Sequence, residues 1–254
     1  MARQKLGQHF LVKGKILERI AKAACGGHVP LAVEIGPGRG ALTEKLLERA
    51  NCVAAIELDP ALAQHLRERF PQVQLIEANA LDVDFMRWGG PGVLTGNLPY
   101  YAATAIISRY VRDPGLLSPA VFLIQKEVAE RITAKPGTRE YGYFSVECQF
   151  LATAEYLFTV PPGSFRPPPK VDSAVVRLTP KLAVTEREAF LRFASVCFRQ
   201  KRKTLRNNLR GFYDPAPEIS RRAEELSVEE FVELYGELGP PQSRAKDNPE
   251  LLRS

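Results

Sequence analysis

Between residues 31 and 133 the sequence alternates short apolar runs with amphipathic stretches, and that alternation restricts the fold more than any other feature. The apolar runs are LAVEIG (31–36), CVAAIE (52–57), VQLIEA (73–78), GVLTGN (92–97) and PAVFLIQ (119–125). Between and after them lie ALTEKLLERA (41–50), PALAQHLRERF (60–70), YAATAIISRYV (101–111) and KEVAERIT (126–133), with apolar residues at helical spacing. Short apolar runs bounded by turn residues read as buried strands, and spacing of three and four reads as helix. Pro60 suits the first turn of its helix. Strands separated by helices predict an α/β fold, with a mostly parallel sheet covered on both faces. YFSVECQFLA (143–152) reads as a further helix. AEYLFTV (154–160) and SAVVRLT (173–179) read as a closing pair of strands with no helix between them, so an antiparallel strand is expected at that edge.

Strand character stops after Pro180. TEREAFLRFASVCFRQ, KTLRNNLRGF and SVEEFVELYGEL are helical in pattern, and Ser227 followed by Glu230 is a capping-box signature. The expected division is a catalytic α/β domain over 1–182 and a small all-helical domain over 183–254. PPGSFRPPPK (161–170) has five prolines in ten residues, too rigid for a linker and suited to a shaped wall of a site. No apolar run approaches the roughly 18–20 residues that span a bilayer. The N-terminal MARQKLGQHFLVKGK is punctuated by charge and lacks the 7–15-residue apolar stretch of a secretion signal. The four cysteines are scattered, as expected of reduced thiols in a cytoplasmic protein, and the three histidines offer no zinc-ligand spacing. No metal is expected.

The net charge of +6 is unevenly placed. Residues 199–210, RQKRKTLRNNLR, hold six basic residues and no acid, whereas 223–254 hold eight acids and three bases. Residues 3–19 add five bases and one acid. Arg199, Lys201, Arg202, Lys203 and Arg206, interleaved with Asn207 and Asn208, point to a polyanion. The run lacks the broad apolar face that a membrane surface would require.

Gly36-Pro37-Gly38-Arg39-Gly40 follows the first strand and opens the first helix. Glycines there let the backbone approach a ligand at a helix N-terminus. The spacing is G-x-G-x-G rather than the G-x-G-x-x-G of a dinucleotide site. Glu57 ends the second strand, 21 residues after Gly36, where a carboxylate accepts from both ribose hydroxyls. A nucleoside without a pyrophosphate fits this loop, which favours S-adenosylmethionine over a nicotinamide dinucleotide. Asn79, just after the third strand, is positioned for the adenine edge, its carbonyl accepting from the amine. Leu98 and Pro99 would sandwich the rings.

Asn97-Leu98-Pro99-Tyr100 follows the fourth strand and therefore sits beside the glycine loop. An adenine exocyclic amine is a poor nucleophile because its lone pair is delocalised into the ring. The Asn97 side-chain oxygen and the Leu98 carbonyl would accept its two hydrogens and favour a pyramidal nitrogen. Pro99 would fix that carbonyl and Tyr100 would face the base. No titrating general base is required, because the proton can leave after methyl transfer.

These motifs, with GQHFL (7–11), QKEVAERITAKPGTREYG (125–142), FRPPPKVDSAVVRL (165–178) and FRQKRKTLRNN (198–208), resemble the ribosomal RNA adenine N6-dimethyltransferase family over nearly the whole chain. The resemblance implies a Rossmann-like methyltransferase sheet and S-adenosyl-L-methionine as cofactor. It implies as substrate two adjacent adenosines near the 3′ end of 16S ribosomal RNA in the immature small subunit. It carries the cofactor positions onto His9, Leu11, Gly36, Glu57, Asn79 and Asn97, and a second base-stacking aromatic, opposite Tyr100, onto Phe165. Two positions depart from the family pattern: Asn79 stands where Asp is usual, and His9 where Asn is common. A monomer acting in the cytoplasm is expected, with no membrane and no DNA. The competing readings are a large-subunit adenine methyltransferase, a non-enzymatic assembly factor and a DNA adenine methyltransferase. The last more often carries D-P-P-Y or N-P-P-Y at the tetrapeptide.

Overall fold

The computed structural model describes residues 9–181, 186–213 and 216–241. Gly7 and Gln8 of the N-terminal motif lie outside these residues, as does the expected junction at 182/183. The described residues form two units by their contacts: those up to Thr133 with Leu151–Lys181, and Ala134–Phe150 with those beyond 185.

The first unit runs β1 (Phe10–Leu11), α1 (Gly14–Cys25), β2 (Val29–Ile35), α2 (Ala41–Leu47), β3 (Ala50–Glu57), α3 (Pro60–Arg69), β4 (Gln74–Glu77), β5 (Gly92–Asn97), α4 (Ala103–Arg112), β6 (Leu117–Gln125) and α5 (Lys126–Ile132). After α6 (Tyr143–Leu151), which opens from the second unit, it resumes with β7 (Ala152–Val160), β8 (Phe165–Arg166) and β9 (Ser173–Pro180). Seven strands form one sheet in the order β4-β3-β2-β5-β6-β9-β7. The strands from β4 to β6 are parallel, and β9 is antiparallel to both β6 and β7. The antiparallel pairing expected at that edge is therefore present. The central strands are apolar without alternation because both faces are covered: Ala32, Val33, Phe122, Leu123 and Ile124 have no exposed surface. Burying each large aliphatic side chain stabilises the fold by about 1.5–3 kcal/mol.

Two local details place the site. Gly96 lets β5 lie close to β2, since a Cβ there would stand 2.3 Å from the Ile35 carbonyl oxygen. Asp59 caps α3, accepting from the Ala61 and Leu62 amides at 2.9 and 3.4 Å, which ends β3 abruptly at Glu57. Among the described residues no helix is long and apolar enough to cross a membrane.

The second unit contains α7 (Arg187–Cys197), α8 (Leu205–Leu209) and α9 (Val228–Leu238). The expected capping box is formed: the Ser227 hydroxyl accepts from the Glu230 amide at 3.2 Å, and the Glu230 carboxylate accepts from the Ser227 amide at 2.8 Å. The stretch 134–150, expected in the α/β domain, groups with these helices instead. The cause is aromatic packing, with Phe150 stacked on Phe190 at 3.7 Å between centroids, together with a 2.7 Å hydrogen bond from the Gly137 amide to the Glu224 carbonyl.

Candidate active site

From β2 the chain passes to β3 on one side, and from β5 to β6 on the other, so the crevice between β2 and β5 is the switch point of the sheet. A cavity of about 560 Å³ opens there. Its walls are the ends of β2, β3 and β5 with the loops that follow, the arm His9–Val12, the segment Ala78–Leu81, and Arg166 with Pro167 from the proline-rich loop. His9, Leu11, Gly36, Glu57, Asn79 and Asn97 all line it, as do Leu98, Pro99 and Tyr100.

Gly36, Gly38 and Gly40 all have positive φ. A Cβ on Gly40 would stand 2.2 Å from the Phe70 ring, so the tight loop depends on glycine there. Glu57 holds the same loop from β3. Its carboxylate accepts from the Gly38 amide at 3.1 Å and from the Leu58 and Asp59 amides at 2.9 and 3.0 Å. Burial raises the Glu57 pKa, and these three amides pull it back down.

Glu34, to which the sequence pattern assigns no role, is 1% exposed and also lines the cavity. The Thr43 hydroxyl donates to its carboxylate at 2.5 Å. Burial pushes its pKa from 4.5 to about 8, opposed by the Thr43 hydrogen bond and reinforced by the Glu57 charge. The signal for it is a charged residue inside an apolar strand. The folded chain thus keeps a proton on Glu34 that the unfolded chain releases above 4.5, so the associated stability is complete below 4.5 and is lost as the pH rises to about 8. Between pH 5 and 8 the melting temperature of Glu34→Gln should therefore gain on that of the wild type. A gain on the order of 10 °C is expected by calorimetry, because the window spans about three pH units at about 1.4 kcal/mol each and each kcal/mol is worth about 2–4 °C at this chain length. Parallel curves for the two proteins would show that Glu34 does not titrate in this range.

Asn97 ends β5. Its amide nitrogen donates to the His9 carbonyl at 2.9 Å, which turns its oxygen to other partners. His9 Nδ1 donates in turn to the Pro167 carbonyl at 2.8 Å, so the N-terminal arm and the proline-rich loop meet across the cavity. The Leu98 amide donates to the Leu123 carbonyl at 3.0 Å, and the Ala102 amide closes a turn onto the Pro99 carbonyl at 2.9 Å. The Tyr100 and Ser173 hydroxyls share a hydrogen bond of 2.7 Å. Burial raises the Tyr100 pKa, so the phenol stays protonated.

Two expectations, those for Phe165 and Asn208, are corrected, whereas Asn79 remains on the cavity lining. Phe165 does not face the cavity: it has no exposed surface, pairs across β1–β8 with Leu11, and belongs to the apolar core with Leu17, Ile20 and Val175. A ring of that size is more stable buried than facing water. The Asn79 oxygen accepts from the Leu81 amide at 3.1 Å, closing a turn, so only its second lone pair remains for a ligand. Asn208 is not part of a polyanion surface. It is buried, donates to the Cys197 carbonyl at 2.7 Å and accepts from the Gln200 amide at 3.0 Å, holding the basic loop to α7. The cations themselves are exposed. Lys201, Arg202 and Lys203 stand together, the Arg199 guanidinium lies 5.4 Å from the Phe212 ring centroid, and Arg206 pairs with Glu218 at 2.8 Å.

The charges of the cavity are sorted by depth. The buried Glu57 carboxylate lies inside, beside the buried Glu34 whose raised pKa keeps it protonated near neutral pH, and two exposed arginines, Arg39 and Arg166, stand on the lining. A cationic nucleoside fits such an interior, held by a glycine loop and an acid at the end of the next strand. Fold and cavity together are those of a Rossmann-like methyltransferase, and S-adenosyl-L-methionine is the cofactor they fit.

Comparison with known proteins narrows the class. Residues 1–234 match the family model for ribosomal RNA adenine dimethylase. A "Ribosomal RNA small subunit methyltransferase A" from Chlorobaculum parvum is 42% identical, over 98% of this chain and 93% of its own length. Another of that name, from Acidobacterium capsulatum, is 43% identical over 91% of this chain and 89% of its own. Among solved structures, a dimethyladenosine transferase from Plasmodium falciparum superposes with a TM-score of 0.79 at 26% identity, covering 92% of this chain and all of that one. The 23S rRNA methyltransferase ErmE superposes at 0.73 and 27% identity, covering 90% of this chain and 99% of its own. The chain belongs to the ribosomal RNA adenine dimethylase family: it is an enzyme that methylates adenine in ribosomal RNA.

Proposed function

We propose that the chain dimethylates the N6 amines of two adjacent adenosines near the 3′ end of 16S ribosomal RNA during small-subunit maturation. The observation that carries this reading is the meeting, in one cavity, of the Gly36 loop and Glu57 with Asn97-Leu98-Pro99-Tyr100. The small-subunit substrate is supported by the names of relatives 42% and 43% identical. The likeness to ErmE, a 23S enzyme, keeps a large-subunit substrate as the second reading. A ribosomal RNA substrate supports a cytoplasmic site of action, and a monomer is the oligomeric state we propose.

S-adenosyl-L-methionine, when bound, supplies a methyl group activated by the sulfonium it leaves. Glu57 would accept from the ribose hydroxyls, and the Gly36 loop would let the chain pass close to the nucleoside. Asn79, His9 and Leu11 would complete that wall. Tyr100 would stack on the target adenine, an interaction worth about 1–3 kcal/mol per base. The Asn97 oxygen and the Leu98 carbonyl would accept from the two N6 hydrogens, pyramidalising the nitrogen so that its lone pair points at the methyl carbon. That nitrogen would take the methyl carbon from the sulfur of the bound cofactor, and the proton of the alkylated amine would then pass to solvent.

The test is transfer of labelled methyl groups to small and large subunits that lack the modification, followed by nucleoside analysis. Dimethyladenosine in the small subunit alone is expected. Label confined to the large subunit would overturn the assignment.

The exposed cations of the helical unit supply the matching RNA surface. Reversing Lys201, Arg202 and Lys203 should flatten the salt dependence of RNA binding, lowering the slope of log affinity against log salt by roughly 0.7–0.9 for each phosphate no longer neutralised. Reversing Arg199 or Arg206 should do less, because Phe212 and Glu218 already engage them. An unchanged slope in the triple variant would make this run a solvated face only.

A further inference from the structure

Resting on the reading just proposed, we infer that Tyr101 is a second base-stacking residue, which holds the nucleotide flanking the target adenosine at the mouth of the cavity. Tyr101 is 67% exposed, the most exposed large apolar side chain among the described residues. Single exposed apolar residues are ordinary on protein surfaces. Here, however, three of the seven strongly exposed ones, Val12, Leu58 and Tyr101, line this one cavity. Tyr101 is also fixed from below. It lies in the turn closed by the Ala102 amide on the Pro99 carbonyl at 2.9 Å, and follows Tyr100, which is held by Ser173. An aromatic ring kept in water on a rigid turn carries no packing role that explains it, and it is preorganised for a flat partner.

The charges of the lining identify that partner. Arg39 and Arg166 are exposed there, whereas the acids of the cavity are buried. Cations on the same lining as an exposed aromatic face suit a nucleotide, with phosphate on a guanidinium and base on the ring. With one adenosine of an adjacent pair seated at Asn97, its neighbour is one backbone repeat away, and Tyr101 is the exposed ring on the same lining, four residues further along the chain. Stacking tolerates any base, so the same residue serves whichever adenosine of the pair is outside.

The experiment is single-turnover methyl transfer from labelled S-adenosyl-L-methionine to small subunits lacking the modification. Particle concentration is varied, with wild type, Tyr101→Ala, Tyr101→Leu and Tyr101→Phe run side by side. In Tyr101→Ala the half-saturating particle concentration should rise roughly 5- to 150-fold, the range for removing one base–aromatic stack. Tyr101→Leu, which keeps apolar bulk without an aromatic face, should fall on the same side, and Tyr101→Phe should restore wild-type behaviour. Cofactor affinity by calorimetry should be the same in all four, which also shows that the variants are folded. Wild-type half-saturation in Tyr101→Ala, or rescue by leucine, would overturn the inference. Failure of the wild type itself to methylate the particle would instead overturn the substrate reading on which it rests.

Discussion

Replacing Asn97 with alanine should lower the saturated rate of methyl transfer by roughly 10²–10³, by analogy with the loss of one preorganised oxyanion-hole donor. The Asn97 side chain has two separable jobs in this geometry. Its nitrogen is committed to the His9 carbonyl at 2.9 Å, which fixes the amide plane. Its oxygen is thereby aimed, and its contribution grows as the N6 nitrogen pyramidalises and its hydrogens become more acidic. An interaction stronger in the transition state than in the ground state appears in the rate rather than in substrate affinity. Removing the hydrogen bond to His9 should add a small reduction in cofactor affinity, because that bond ties the arm over the cavity. Asn97→Asp separates the two jobs. It keeps an acceptor for the amine but sets a carboxylate against the His9 carbonyl, so its cofactor affinity should fall further than that of the alanine variant. Single-turnover methylation with both substrates saturating decides the matter. An alanine variant that reacts at the wild-type rate would leave Asn97 as a binding residue only.

The parts of this site that could be read in the sequence are those carried by local pattern. LAVEIG, CVAAIE and GVLTGN mark strands that the structure places within two residues of the expected limits, because parallel strands buried on both faces are apolar without interruption. Their order along the chain, with the glycine loop after one and the tetrapeptide after another, was enough to bring Gly36, Glu57 and Asn97 to one crevice. What escaped depends on packing between distant segments. The pairing of Phe10 and Leu11 with Arg166 and Phe165 joins residues about 155 positions apart, and no pattern near either segment announces it. That pairing turns Phe165 into the core and makes a cavity wall of Arg166. The grouping of 134–150 with the helical unit likewise rests on Phe150 meeting Phe190, and Asn208 reads as a surface residue until its partners on Cys197 and Gln200 are seen. Glu34 was visible as a charge inside a strand, but only its burial beside Glu57 gives that charge a consequence.

Glu57→Ala should weaken S-adenosyl-L-methionine binding roughly 10- to 100-fold, since each hydrogen bond to a charged group is worth about 1.5–3 kcal/mol. The carboxylate does more than face the ribose. It accepts from the amides of Gly38, Leu58 and Asp59, so it also sets the distance between the glycine loop and the end of β3. Alanine removes both functions, leaving three amide donors without their acceptor at 5% exposure of the native side chain. Glu57→Gln should recover part of the loss. Its carbonyl oxygen can still serve Leu58 and Asp59, while its NH₂ group opposes the Gly38 amide. The two variants should therefore rank alanine weakest and glutamine between it and the wild type in a calorimetric titration. Acidification of the wild type should reproduce the direction of the change. Burial raises the Glu57 pKa, so the carboxylate gains its proton at a higher pH than an exposed glutamate would, and a protonated acid is a poorer acceptor for the ribose hydroxyls. Affinity should consequently fall as the pH drops through that raised value, and the fall should be absent from Glu57→Gln. If alanine binds the cofactor as tightly as the wild type, Glu57 is a clamp for the glycine loop and takes no part in holding the nucleoside.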